Sequence, residues 1–365
     1  MFQTSIDARL TAVCLTLLAA ACECDPGMQA SSSQDSGPDA TFIDGAAGHA
    51  ASDGGSRDAA RADATSIDAS TADAAVHVEP TLTVTEDDVR AALHCPSNYV
   101  DAADPVLLVH GTGANAALSW DDSYVPVLTA EGFDVCTLDL PAWSWESIPL
   151  ASEYVVVATR LIATGRSRPV AWVGHSQGSL EFTWAMTFFP SLASLVSDVI
   201  FLASVTHGAA QSETACGIGA CRVAAWQMRP SSAFVAALVS RDETPSDVPY
   251  SSIYSTTDST AVAPTSVLVG ATNVSIQSLC PGRSVSHAGL LTDAVAYALV
   301  LDALTHDGPV DPSRVDASIC DEDFLGALTG GDVWWQETQG GATFASTYLG
   351  GSMPNAEPAL PDYAL

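Results

Sequence analysis

A serine set among glycines, Gly174-His175-Ser176-Gln177-Gly178, is the side chain in this sequence best placed to act as a nucleophile. The run Pro169-Val170-Ala171-Trp172-Val173 before it reads as a buried parallel strand. After it, Ser179 to Phe189 carries Leu180, Trp184 and Phe188, with Phe182, Met186 and Phe189, at a helical spacing that stops at Pro190. A G-x-S-x-G motif at a strand-to-helix turn is a nucleophile elbow. Only small residues fit two positions before and after the serine, and the strain lifts its Oγ clear of the sheet edge.

A serine hydroxyl needs a base, an orienting acid and donors for a developing oxyanion. Three histidines follow Ser176: His207, His287 and His306. His287, in Val285-Ser286-His287-Ala288-Gly289, stands just ahead of a long helical pattern, where a loop can drop its imidazole beside the serine. His306 ends that pattern and reads as a solvated residue at the helix C-terminus. His207 comes too early if the acid follows a later strand, and would line the site instead. Asp242, Asp247, Asp258 and Asp293 all qualify as the acid by type. Asp258 follows the strand-like Pro249 to Tyr254 in the loop Ser255-Thr256-Thr257-Asp258, where a carboxylate emerges at the C-terminal edge of an open parallel sheet. Asp242 and Asp247 look like surface loop, and Asp293 points from a helix. His110-Gly111-Thr112-Gly113 follows another apolar run and offers a backbone N–H to complement that of Gln177. A phosphate loop is the rival reading of these glycines, but it lacks the third glycine, a lysine and an immediate helix.

The elements that must hold these residues are apolar runs at Val106 to Val109, Phe133 to Leu138, Val170 to Val173, Val199 to Ala203 and Val267 to Val269. Helical patterns lie at Tyr154 to Ala163, Ser179 to Phe189 and Ala288 to Leu304. This alternation predicts an α/β fold, a mostly parallel sheet with helices on both faces. The Gly-rich residues 324–365, with Trp334, Trp335, Phe344 and Tyr348, form a C-terminal extension that periodicity leaves unassigned.

The chain of 365 residues has 43 acidic and 12 basic residues, a formal charge of −31, and every basic residue is arginine. Without lysine there is no Schiff base, phosphate-loop lysine or Ser-Lys dyad. The charge argues against nucleic acid or an anionic membrane as partner. Residues 1–22 read as an export signal: Arg9, the apolar stretch Leu10 to Ala21, then Ala19-Ala20-Ala21-Cys22, similar to a bacterial lipoprotein signal whose cysteine is lipidated. Ordinary secretion is the alternative, so the protein is expected either in the cell envelope or outside the cell. Residues 23–79 are rich in Ala, Ser, Gly and Asp, with Asp53, Asp58, Asp63, Asp68 and Asp73 at a period matching neither helix nor strand. They predict a disordered tether. The folded domain is expected over residues 80–323.

Taken together, the chain resembles the lipase B-like serine hydrolases of the α/β-hydrolase family. The likeness runs through Leu107 to Gly113, Ser176-Gln177-Gly178, Thr187-Phe188-Phe189-Pro190-Ser191, Tyr254-Ser255 with Thr257-Asp258, and His287-Ala288-Gly289, over roughly Cys95 to Cys320. The resemblance implies an α/β-hydrolase fold and a carboxylic-ester hydrolase needing no metal or organic cofactor. By position it gives triad roles to Ser176, Asp258 and His287, and oxyanion roles to Thr112, hydroxyl included, and Gln177. It also places Ser119, Trp226 and Gln227 in the substrate pocket. Departures are His175, where the family pattern leads one to expect Trp, Val205 in place of an acidic residue, and the insertion Gln211 to Cys221.

The six cysteines past the signal region allow fifteen pairings by spacing alone. The resemblance implies Cys95–Cys136 and Cys280–Cys320, which leaves Cys216 with Cys221. Disulfides fit export, and the spacing suits no zinc site. An ester or lipid substrate is therefore expected, with a membrane contacted only through a lipid on Cys22. A polyester depolymerase or acyltransferase on the same residues, and a non-catalytic adhesion module, are the competing readings.

Overall fold

The computed structural model describes residues 79–97, 103–217, 219, 221–326 and 328–365; the export signal, Cys22 and the tether up to residue 78 lie outside the described residues. Helix α1 (Glu86–Ala92), capped by Thr85, leads into β1 (Leu93–His94). Strands β2 (Val106–Val109), β3 (Val135–Leu138), β4 (Val170–His175), β5 (Val196–Leu202), β6 (Tyr250–Tyr254) and β7 (Thr272–Ser275) complete one sheet in the order β1-β3-β2-β4-β5-β6-β7. Only β1 runs antiparallel. Every residue of β2, β3 and β4 is buried, so both faces of the central sheet are covered, as continuous β-branched runs require.

The covering helices are α2 (Tyr124–Ala130), α3 (Ile148–Arg166), α4 (Gly178–Phe188), α5 (Ala210–Cys216), α6 (Val223–Gln227), α7 (Ala233–Val239), α8 (Ala294–Thr305) and α9 (Gly330–Leu349). Helix α4 is buried at ten of its eleven positions, because it is packed between sheet and helices. Phe182 stacks on Trp172 of β4 at 4.4 Å between centroids, and Trp184 stacks on Phe234 of α7 at 4.8 Å. Aromatic area buried in this way dominates core energetics.

The expected strand at Val267 to Val269 does not form. Val267 and Val269 are exposed, the chain turns at Gly270 with φ +92°, and the edge strand comes next, at β7, where only Val274 is buried. An edge strand with one wet face needs one apolar residue in two, so the denser valine run misleads. The pattern from Ala288 is likewise two elements. A 3₁₀ turn (Ala288–Leu291) precedes α8, whose N-cap Asp293 accepts from Ala296 N through its carboxylate. Asp293 also binds Arg283, so it is a helix cap rather than a residue on a helix flank.

The unassigned C-terminal segment contains the 20-residue α9, opened by a Thr329–Asp332 capping box. Its Tyr348 joins Trp145, Cys216, Cys221, Ala225 and Trp226 in a small apolar cluster apart from the main core. Beyond α9, Glu357 accepts from Ala233 N and Phe234 N, and the Tyr363 hydroxyl accepts from Trp184 Nε1. Disulfides join Cys95 to Cys136, Cys216 to Cys221 and Cys280 to Cys320. Among the described residues no helix is long and apolar enough to cross a membrane.

Candidate active site

Strand β4 passes into α4 through Ser176 at φ +54°, a left-handed conformation costly for a residue with a Cβ. The flanking glycines are there because the turn leaves no room. A Cβ on Gly178 would lie 2.5 Å from the Val109 carbonyl oxygen, and one on Gly174 would lie 2.8 Å from the Phe182 ring. The elbow therefore lets α4 close onto β2 while Ser176 faces away from the sheet.

His287 enters from the loop before the 3₁₀ turn and Asp258 from the loop after β6. Ser176 Oγ donates to His287 Nε2 at 2.8 Å, and His287 Nδ1 donates to Asp258 Oδ2 at 2.7 Å. The second carboxylate oxygen accepts from Thr260 N at 2.7 Å and Ala261 N at 2.9 Å. Burial pushes the Asp258 carboxyl up, but the His287 imidazole and these backbone donors together hold it below the usual carboxylate range. The acid is thus ionised, which assigns the proton of His287 to Nδ1 and leaves Nε2 as the acceptor. Of the other expected acids, Asp242 caps its own loop at Thr244 N, and His207 pairs with Glu243 rather than facing Ser176. His306 ends α8, bonded to the Asp302 carbonyl.

The loop expected to meet an oxyanion is built at the end of β2. His110 donates from Nδ1 to the Gly111 carbonyl at 2.8 Å and accepts from Leu140 N at its Nε2, a buried clamp on the loop. Among the described residues no protein acceptor engages the backbone N–H of Thr112 or Gln177. The Thr112 hydroxyl donates to Gln177 Oε1, and Gln177 Nε2 donates to the Ser144 carbonyl at 3.0 Å and Glu181 Oε1 at 2.8 Å. Ala142, Trp143 and Ser144 all have positive φ (47°, 62° and 60°), and the Trp143 carbonyl accepts from Gly113 N at 2.8 Å. This strained segment aims successive carbonyls at the oxyanion loop and at Gln177.

The cavity over Ser176 is lined by Gly111, Thr112, Ala114, Ser119, His175 and His287, by Val205, Ala209 and Ala215, and by α9 through Gln336, Glu337, Gly341, Phe344 and Tyr348. Ser119 lines this cavity. Trp226 and Gln227 are not on this wall; their neighbours Ala225 and Met228 are. Gln227 turns inward to accept from Ile148 N, and Trp226 packs beside the Cys216–Cys221 cluster with its Nε1 on the Pro354 carbonyl. On so short a helix, one step along the chain changes the face presented. His175 lies against the triad, its Nε2 donating to the His287 carbonyl at 3.0 Å, and burial drives its pKa down to about 3, so it is neutral. Sequence reasoning missed the 142–144 segment, Glu181 and the α9 wall. Only the aromatic content of α9 offered any signal for them.

Residues 104–215 match the family described as the alpha/beta hydrolase fold. The chain is 27% identical to lipase B of Pseudozyma antarctica over 300 residues, covering 78% of this chain and 86% of that protein. The crystal structure of Aspergillus fumigatus lipase B superposes with a TM-score of 0.72 at 29% identity, covering 79% of this chain and 73% of that one. Sheet order, elbow and sequence likeness converge: the chain has the α/β-hydrolase fold and is similar to the lipase B serine ester hydrolases.

Proposed function

We propose that the chain cleaves carboxylic esters, lipid esters among them, through a Ser176–His287–Asp258 triad and an acyl-enzyme. Ser176 Oγ attacks the ester carbonyl while His287 Nε2 takes its proton. The backbone N–H groups of Thr112 and Gln177 meet the oxyanion, joined by the Thr112 hydroxyl as it turns its one proton from Gln177 Oε1 to the oxyanion, and the leaving alcohol departs with the proton from His287. Water, deprotonated by the same imidazole, then attacks the acyl group and releases the acid and free Ser176. Asp258 holds the imidazole in its Nδ1–H tautomer and stabilises the imidazolium. The observation that carries this reading is the continuous hydrogen-bonded line Asp258–His287–Ser176, at 2.7 and 2.8 Å. The name lipase B of both relatives supports a lipid ester as the substrate class. Hydrolysis of p-nitrophenyl esters of graded chain length tests it. Turnover no greater than that of Ser176→Ala would overturn it.

In this reading residues 80–323 form the catalytic domain, 324–365 an extension that walls its pocket, and 23–79 a tether. Residues 1–22 direct export, with a lipid on Cys22. The three disulfides support an oxidising compartment.

A further inference from the structure

Glu181 is a wholly buried carboxyl on α4, in the first turn behind the elbow. Its Oε1 accepts from Gln177 Nε2, and among the described residues its Oε2 has no hydrogen-bond partner. The amide of Gln177 has two protons on Nε2, and both are committed, to Glu181 and to the Ser144 carbonyl. That commitment fixes which end of the amide is which. Its Oε1 must face Thr112, and the Thr112 hydroxyl must be the donor. Without an acceptor at position 181 one Nε2 proton is orphaned, and the amide is held in this orientation only by the Ser144 carbonyl and the Thr112 hydroxyl.

We propose that Glu181 is a positioning residue for ester cleavage, acting as an uncharged acid that locks the Gln177 amide and, through it, the Thr112 hydroxyl beside the oxyanion. The inference rests on Thr112 and Gln177 being the oxyanion donors. Glu153, Tyr154, Arg160 and Arg166 are the titratable groups of α3, and His175 that of β4, the main neighbours of α4; α7 carries none. None of them shifts Glu181. Burial pushes its carboxyl up to about 8, against the opposing pull of Gln177 and its own backbone N–H. Ionisation would set a negative charge one hydrogen bond behind the donors, opposing the charge that develops on the substrate. The chain has no lysine, and its six described cysteines are paired, so few other groups titrate in that range.

The test is kcat and KM for a soluble p-nitrophenyl ester across pH 6 to 10 in the full chain. Glu181→Leu should lower kcat about tenfold or more while KM stays within about twofold. Glu181→Gln keeps an acceptor for Gln177 and should rescue turnover at neutral pH. The parent's kcat should fall above about pH 8, and that fall should be missing from the glutamine variant. An alkaline limb persisting unchanged in Glu181→Gln overturns the proposal, as does parental kcat in Glu181→Leu. If the leucine variant does not fold, the glutamine profile decides alone. Ser176→Ala measured alongside separates the two readings. A parent no better than that control overturns both, whereas Ser176-dependent turnover with an unaltered Glu181→Gln profile overturns only this one.

Discussion

Phe344 packs directly on Gly113: a Cβ built on that glycine would lie 2.6 Å from the Phe344 ring. The oxyanion loop and the C-terminal helix are therefore fitted to each other. Gly113 also has φ +69°, so an alanine there meets both backbone strain and a clash. Gly113→Ala should cost about 1–3 kcal/mol of stability and reduce kcat. Adding Phe344→Ala should recover the part due to the clash, leaving the backbone part. Thermal melts and kinetics of the double-mutant cycle check this, and strictly additive effects would refute the contact.

Ser176→Ala, His287→Ala and Asp258→Asn should each lower ester turnover by roughly three to four orders of magnitude or more, with unchanged far-ultraviolet circular dichroism. Combining them should add little, because the three act as a unit. Near-normal turnover in Asp258→Asn, with loss in Asp242→Asn, would move the acid elsewhere.

Thr112→Val keeps the backbone and shape but deletes the hydroxyl. Loss of an oxyanion donor costs ~3 kcal/mol, so kcat should fall about a hundredfold with little change in KM. In the resting enzyme that hydroxyl serves Gln177, so the variant should also melt slightly earlier. A kcat within about twofold of the parent would leave only the backbone donors.

Two buried groups set opposite edges of the stability profile. His175 has a folded pKa of about 3 against an ordinary 6.5, so its contribution is complete above 6.5 and is lost as pH falls towards 3. Glu181 sits at about 8 against 4.5, so its contribution is complete below 4.5 and is lost as pH rises towards 8. Each edge has a limiting slope of ~1.4 kcal/mol per pH unit. Urea melts should find the acid slope reduced in His175→Gln and the neutral-to-alkaline slope reduced in Glu181→Gln. Slopes unchanged in both variants would remove these groups from the account.

A lipid on Cys22 predicts that exported protein partitions with membranes and that Cys22→Ser becomes soluble or stays unprocessed. Mass spectrometry of the mature N-terminus decides it. A free amine at another residue, on protein recovered from membrane-free medium, would end the idea.

The candidate catalytic residues were legible because their signals are local. Gly174, Ser176 and Gly178 report a steric demand within five residues, while Asp258 follows and His287 precedes a recognisable element. What escaped depends on partners far along the chain. Val267 and Val269 look like strand until Gly270 turns them outward. Trp226 and Gln227 lie beside the right segment but face away from the cavity. Glu181 went unread, because nothing nearby in sequence announces that its carboxyl will be buried against Gln177.

Helix α9 is tied down on both sides. Upstream, Leu325 N bonds to the Thr292 carbonyl, and downstream Glu357, Tyr363 and Ala364 are bound to α7, to Trp184 and to Arg241. A span fastened at both ends behaves like a footbridge: it sags or bows but has no free edge to swing. The cavity is walled on this side by Gln336, Glu337, Phe344 and Tyr348, and shortening Phe344 or Tyr348 should widen it while both ties stay in place. A protease cut within residues 350–356 would release one footing and turn the bridge into a gangplank.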